Sequence, residues 1–226
     1  MTVTEIATLK LAIWELDENF KNVLQRGLDI QNDWHIAKFP HLPTTLIGRA
    51  SHCLQQIEDP RTILITASWE SVDAHWKWIR SLENEKVMGE LRHYLTGSPN
   101  DMVLLHVSGA IFGGEAARTP EGSTSLLDSP VICVERFFVG ASKKEQFLRE
   151  FSIAEASIEN AAAPFVVRDG WRVDVKSKDL LECVLVTGWE SVEKHTEFSQ
   201  GSGSRCLAEL KKIAKGVDTK HYKLLL

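Results

Sequence analysis

Apolar residues along the chain are arranged in two styles. Short runs such as RTILITASW (61–69) and LLECVLVTGW (180–189) are apolar at most positions, which predicts strands buried on both faces. Longer stretches, ENFKNVLQRGLDIQNDWHIA (18–37) and SKKEQFLREFSIAEASIENAA (142–162), space their apolar residues three and four apart, as amphipathic helices do. TEIATLKLAI (4–13), TTLIGRASHCLQQI (44–57), MVLLHVSGAIF (102–112), VICVERFFVG (131–140), FVVRDGWRVDVK (165–176) and HYKLLL (221–226) complete the set of predicted strands.

The pattern repeats. SWESVDAH (68–75) returns as GWESVEKH (188–195), an apolar strand running into a helix with Ser71 and Ser191 as N-caps. Further on, VMGELRHYL (87–95) matches RCLAELKKIA (205–214) with a slip of one residue. The slip falls where the helical stripe is interrupted, by Glu83 in the first copy and by Gly201 and Gly203 in the second, so each second helix is expected to break near its middle. Each copy then reads strand, helix, strand, strand, broken helix, strand, the ferredoxin-like order. The predicted boundaries are 1–112 and 131–226 for the copies, joined by the Gly-, Pro- and Ser-rich segment 113–130.

Strands apolar on both faces need two covers. Helices supply one, and the sheet of the other copy is the simplest candidate for the second. The expected fold class is therefore α+β, two ferredoxin-like βαββαβ repeats whose antiparallel sheets pack into one pseudo-dimeric eight-stranded α+β barrel. Such an intramolecular pseudo-dimer could exist as a monomer or form a homodimer.

Charge narrows the partners. The net charge is −5 and the 26 basic residues are scattered, so neither nucleic acid nor a membrane surface is an expected partner. No apolar run approaches the roughly 20 residues of a membrane span. The N-terminal stretch lacks the features of a secretory signal. Cysteines 53, 133, 183 and 206 are isolated, which suits a reducing compartment; the expected location is the cytoplasm.

On the junctions ITASWESVDAH and LVTGWESVEKH, each followed by a broken helix, the chain resembles the dimeric α+β barrel superfamily of antibiotic-biosynthesis monooxygenase-like and stress-responsive domains, in a tandem fused form. The resemblance implies a ligand pocket between sheet and helices in each half. It spans haem-degrading oxygenases, cofactor-free oxygenases, polyketide cyclases and lactone isomerases. Trp78 stands at the Trp position of the haem-degrading members, but Met88 stands where they have His, and the first strand has no Asn. The second half, with Phe198 and Leu207 at those places, departs further. The His pair of the plant polyketide cyclases is missing too: Ile63, or Cys183 in the second copy, stands on the third strand, and Ser81–Asn84 replaces the second motif.

Candidate chemistry lies in polar residues on apolar elements. His106 and His52 interrupt strands, and His75, with its counterpart His195, lies on a helical stripe. A buried imidazole must be paired or line a cavity. His106, His52 and His75 are the candidate acid/base residues, set against packed, hydrogen-bonded histidines as the structural alternative. Trp34, Trp76, Trp78, Met88 and Tyr94 are candidates for lining a broad apolar pocket for a flat ligand. They could equally form an aromatic core. Zinc, calcium, P-loop, dinucleotide and nucleophile-elbow motifs do not occur, so no metal and no cofactor is expected. The reading is a cofactor-free cyclase, isomerase or monooxygenase of secondary metabolism that acts on a small aromatic or polyketide-like ligand. The alternative is a non-catalytic ligand-binding or stress-responsive barrel.

Overall fold

A computed structural model describes residues 2–226 except Ala116, Arg118 and Lys176, and except the side chain of Pro99. Two of those residues fall in the expected connection 113–130 and one ends the expected strand 165–176; those parts lie outside the described residues. The chain divides into two compact units, Met1–Arg118 with Leu224–Leu226, and Thr119–Lys223.

The first unit runs β1 (Val3–Lys10), α1 (Glu18–Lys38), β2 (His52–Gln56), β3 (Thr62–Trp69), α2 (Val72–Ile79), α3 (Leu82–Leu91) and β4 (Met102–Ser108). Its strands are all antiparallel and lie in the order β4-β1-β3-β2. The second runs β5 (Val131–Gly140), α4 (Lys144–Ala162), β6 (Val167–Trp171), β7 (Leu180–Trp189), α5 (Val192–Gln200), α6 (Ser204–Ile213) and β8 (Gly216–Leu224). There the order is β8-β5-β7-β6. Each unit is the predicted βαββαβ repeat.

Local chemistry sets the element ends. Asp17 Oδ1 accepts from the Phe20 N–H at 2.8 Å, and Ser71 Oγ and Ser191 Oγ accept from Ala74 and Lys194 at 3.1 and 3.3 Å, satisfying donors the first helical turn leaves open. The broken helices have different causes. In the first unit Ser81 starts a new helix by accepting from Asn84 N at 3.1 Å. In the second, a Cβ at Gly203 would stand 2.4 Å from the Phe198 ring, so the break requires glycine there. The strand expected over 44–57 begins only at His52. Ahead of it the chain turns through Ala50 at φ 47°, which buries Arg49.

Among the described residues, one cluster packs each end of the first unit's interior. Trp34, Phe39, Ala67, Trp69, Ala74 and Trp78 fill one end of the space between sheet and helices, and Leu9, Phe20, Leu24, Cys53, Ile63 and Leu91 fill the other. Full burial of each large side chain contributes roughly 1.5–3 kcal/mol. No described helix is long and apolar enough to cross a membrane. None of the four cysteines is in a disulfide.

Candidate functional site

Alternation along β1 puts Val3, Glu5, Ala7 and Leu9 on one face. Glu5 is thus a carboxyl among apolar residues, and it is buried. Three side chains gather around it from distant parts of the sequence. Trp69, at the end of β3, donates its indole N–H to Glu5 Oε2 at 2.9 Å. His75, one turn into the helix capped by Ser71, places Nε2 3.2 Å from the same oxygen. His106 on β4 is the register partner of Glu5, and its Nε2 lies 2.7 Å from His75 Nδ1. One proton serves that last contact, so one imidazole donates and the other accepts. The His75 ring also stacks on Trp69, centroids 4.6 Å apart and planes 22° apart.

Burial decides the charges. It raises the Glu5 pKa to about 7, against the opposing effects of the Trp69 hydrogen bond, His106 and Arg49. It lowers the His75 pKa to about 3, helped by His106 and Arg49. At neutral pH the imidazole of His75 is therefore uncharged and Glu5 is divided between acid and carboxylate, so their contact is a hydrogen bond rather than an ion pair. Arg49, whose guanidinium carbon lies 5.1 Å from the centre of the Trp69 ring, is itself held down to about 10 by burial.

Glu5 and His75 open onto a cavity of about 400 Å³ within the first unit, a volume typical of small-molecule sites. Its wall is mostly apolar, with Ala7, Leu28, Ile65, Trp76, Trp78 and Met88 among the lining residues, and polar groups from Gln31, Asn84 and Arg92. Four of the sequence candidates, His75, Trp76, Trp78 and Met88, thus line one space. The other four lie elsewhere. His106 sits behind His75, wholly buried. His52 Nδ1 lies 3.3 Å from Leu226 O. Trp34 packs on Phe39, Trp69 and Trp78, and Tyr94 on Phe20.

Glu5 escaped the sequence reading, although the signal was present: an acidic residue inside VTEIATLKL obeys the same rule about buried polar groups that singled out His106. Sheet register exposes a second omission. Val3 pairs with Trp69 and Glu5 with His106; Val131 pairs with Trp189 and Cys133 with His221. Cys133 therefore stands where Glu5 does, and His221 where His106 does. His195 Nδ1 lies 2.8 Å from His221 Nε2, matching the first unit, and His195 Nε2 lies 4.0 Å from Cys133 Sγ. Each of these three buried residues offers one donor atom within 4.8 Å of the others. Trp189 donates not to the β5 residue but to Thr187 Oγ1 at 2.7 Å; the residue at that place in the first unit is Ala67.

No family model matches the sequence, and no curated protein does. Solved structures do match in shape. An anthrone oxidase-like protein aligns with a TM-score of 0.64 at 9% identity, covering 100% of this chain and 92% of its own. A provisionally named monooxygenase from Fusobacterium nucleatum gives 0.62 at 7%, covering 100% and 93%. A provisionally named chlorite dismutase, TA0507, gives 0.55 at 12%, covering 100% and 95%. At such identities the likeness is one of fold: the chain has the α+β barrel fold of the monooxygenase-like and chlorite dismutase-like proteins, in its tandem two-repeat form.

Proposed function

We propose that the chain is a monooxygenase-like enzyme of secondary metabolism that acts, without a bound cofactor, on a small aromatic or polyketide-like molecule. Its first step is removal of a proton by Glu5. The observation that carries this reading is the hydrogen-bonded Glu5–His75 pair in the wall of an otherwise largely apolar cavity. A general base works best with a pKa near the working pH, and Glu5 is raised to about 7. An apolar setting also favours a spread-out substrate anion over a compact carboxylate, so the same burial that raises the Glu5 pKa assists the transfer.

Trp76, Trp78 and Met88 would hold the flat rings of the substrate. His75, neutral and held by His106, would steady the Glu5 carboxyl through the transfer. The resulting carbanion or phenolate can close a ring, isomerise or pass electrons to dioxygen. The neighbour named anthrone oxidase-like suggests the substrate to try first. An anthrone has a CH2 group acidified by the carbonyl across the ring; with one O2 it gives the anthraquinone and one water.

The test is oxygen uptake with anthrone in the purified full chain. The expected result is one O2 per anthraquinone formed, with kcat/KM rising with pH through a limb near 7. Glu5→Gln should remove turnover while leaving binding of the aromatic in place. Tight binding of anthrones and related polyketides with no turnover, by the wild-type chain, would favour the ligand-binding alternative.

A further inference from the structure

We infer that Cys133, His195 and His221 form a binding site for one transition-metal ion of the zinc class. Cys133 on β5 and His221 on β8 are register partners in neighbouring strands, so their side chains leave the sheet on the same face. His195 reaches them from α5, one turn beyond the Ser191 cap. All three are buried. The three positions are too far apart in sequence to form a spacing motif, and the fold brings them together.

The donors suit the ion. A thiolate and two imidazoles select zinc, cobalt or cuprous copper over calcium and magnesium. Tetrahedral zinc, with bonds of about 2.3 Å to sulfur and 2.0–2.1 Å to nitrogen, holds its donors roughly 3.3–3.6 Å apart. Here one donor atom from each residue lies within 4.8 Å of the other two, so the side chains need to move only on the order of 1 Å. Binding would release the thiol proton, and the proton shared by the two imidazoles would move to the outer nitrogen of the ring that carries it.

Two differences from the first unit point the same way. The carboxyl that takes the indole hydrogen bond of Trp69 is replaced by sulfur, and the Trp189 indole is turned to Thr187 instead. One residue pair along the same face, Glu135 is buried and accepts from Thr219 Oγ1 at 3.3 Å. A carboxyl so placed is a common companion of metal sites, where it stands outside the ligands. The three protein ligands leave the fourth position of a tetrahedral ion to water or another small donor.

The experiment uses the full chain, stripped with a chelator and titrated with cobalt(II). One equivalent should bind, giving the visible bands of tetrahedral cobalt and a thiolate-to-cobalt charge-transfer band, and zinc should bleach both. Cys133→Ser should abolish the charge-transfer band, and His221→Ala should weaken binding at least tenfold, whereas Cys206→Ser should change nothing. Absence of a stoichiometric cobalt spectrum would overturn the site, and so would a charge-transfer band that survives Cys133→Ser. X-ray absorption of the zinc-loaded wild type needs no variant to fold. One sulfur and two imidazoles around zinc support the site; a shell without sulfur rejects it.

Discussion

The two units build the same corner from the same phrase and then diverge by two substitutions. In each, a tryptophan closes a strand, a serine caps the next helix, and a histidine one turn later bonds a histidine on the last strand of the repeat. The first unit adds Glu5 opposite Ala67; the second adds Cys133 opposite Thr187. The imidazole pair is thus shared, and under the readings proposed above the residue on the opening strand of each repeat would set the chemistry. A carboxyl facing a cavity makes a proton acceptor, whereas a buried thiol makes a soft ligand.

The largest expected effect separates the units by activity. Glu5→Gln should lower kcat by about 10²–10⁴, the range of a lost general base, whereas Cys133→Ser should leave kcat within twofold. Equal losses in the two variants would erase the distinction. Steady-state oxygen uptake measures both.

Stability against pH comes next. The Glu5 pKa is raised on folding from 4.5 to about 7, so between those values the folded chain holds a proton that the unfolded chain has released. Its contribution favours folding most below pH 4.5 and declines as pH rises towards 7, by roughly 3 kcal/mol in all. His75 and His195 have the opposite sign. Their pKa values fall from 6.5 to about 3 and about 4, so they favour folding most above pH 6.5 and lose that contribution as pH drops towards those values. Urea titrations at pH 5 and pH 8 should show that Glu5→Gln stabilises the chain at pH 8 relative to pH 5. Cys133→Ser should lack that pattern.

The shared scaffold should respond alike in both units. His106→Ala and His221→Ala each leave a buried imidazole nitrogen without its partner, and each should destabilise the chain by about 1–3 kcal/mol in urea. Activity should fall only in His106→Ala, because His106 acts there by positioning His75. Rescue by His106→Gln, which can still bond His75, would support positioning. The smallest effect belongs to Thr187→Ala, which removes the acceptor of the Trp189 indole and should cost about 1 kcal/mol. Thermal melts detect it.

The repeat, the order of elements, the serine caps and the helix breaks were legible because each is written in neighbouring residues. RTILITASW and LLECVLVTGW declare themselves by composition, and Ser71 and Ser191 by place. The cluster around Glu5 was not legible as a cluster, since its members at 5, 69, 75 and 106 meet only through strand register. His106 and His75 were singled out separately, and nothing in the sequence showed that they touch. His221 went unnoticed as a counterpart because HYKLLL starts in the middle of β8, which runs from Gly216. Trp34 and Tyr94 illustrate a different limit. Periodicity puts them on the inner face of their elements, but only packing separates a wall residue from one behind the wall.

Residues 225 and 226 tie the far end of the second repeat's sequence to β2 of the first unit. Leu225 N and Leu226 N donate to Cys53 O at 2.8 and 3.0 Å, and Cys53 N donates to Leu226 O at 2.9 Å. These residues belong with the first unit, and His52 meets Leu226 across 174 positions of sequence. Residues 225 and 226, which follow the whole second repeat in sequence, thus complete the first. Contacts of such long sequence separation form slowly, so the half bearing the cavity stays unfinished, with β2 lacking these backbone partners, until the second repeat has been made.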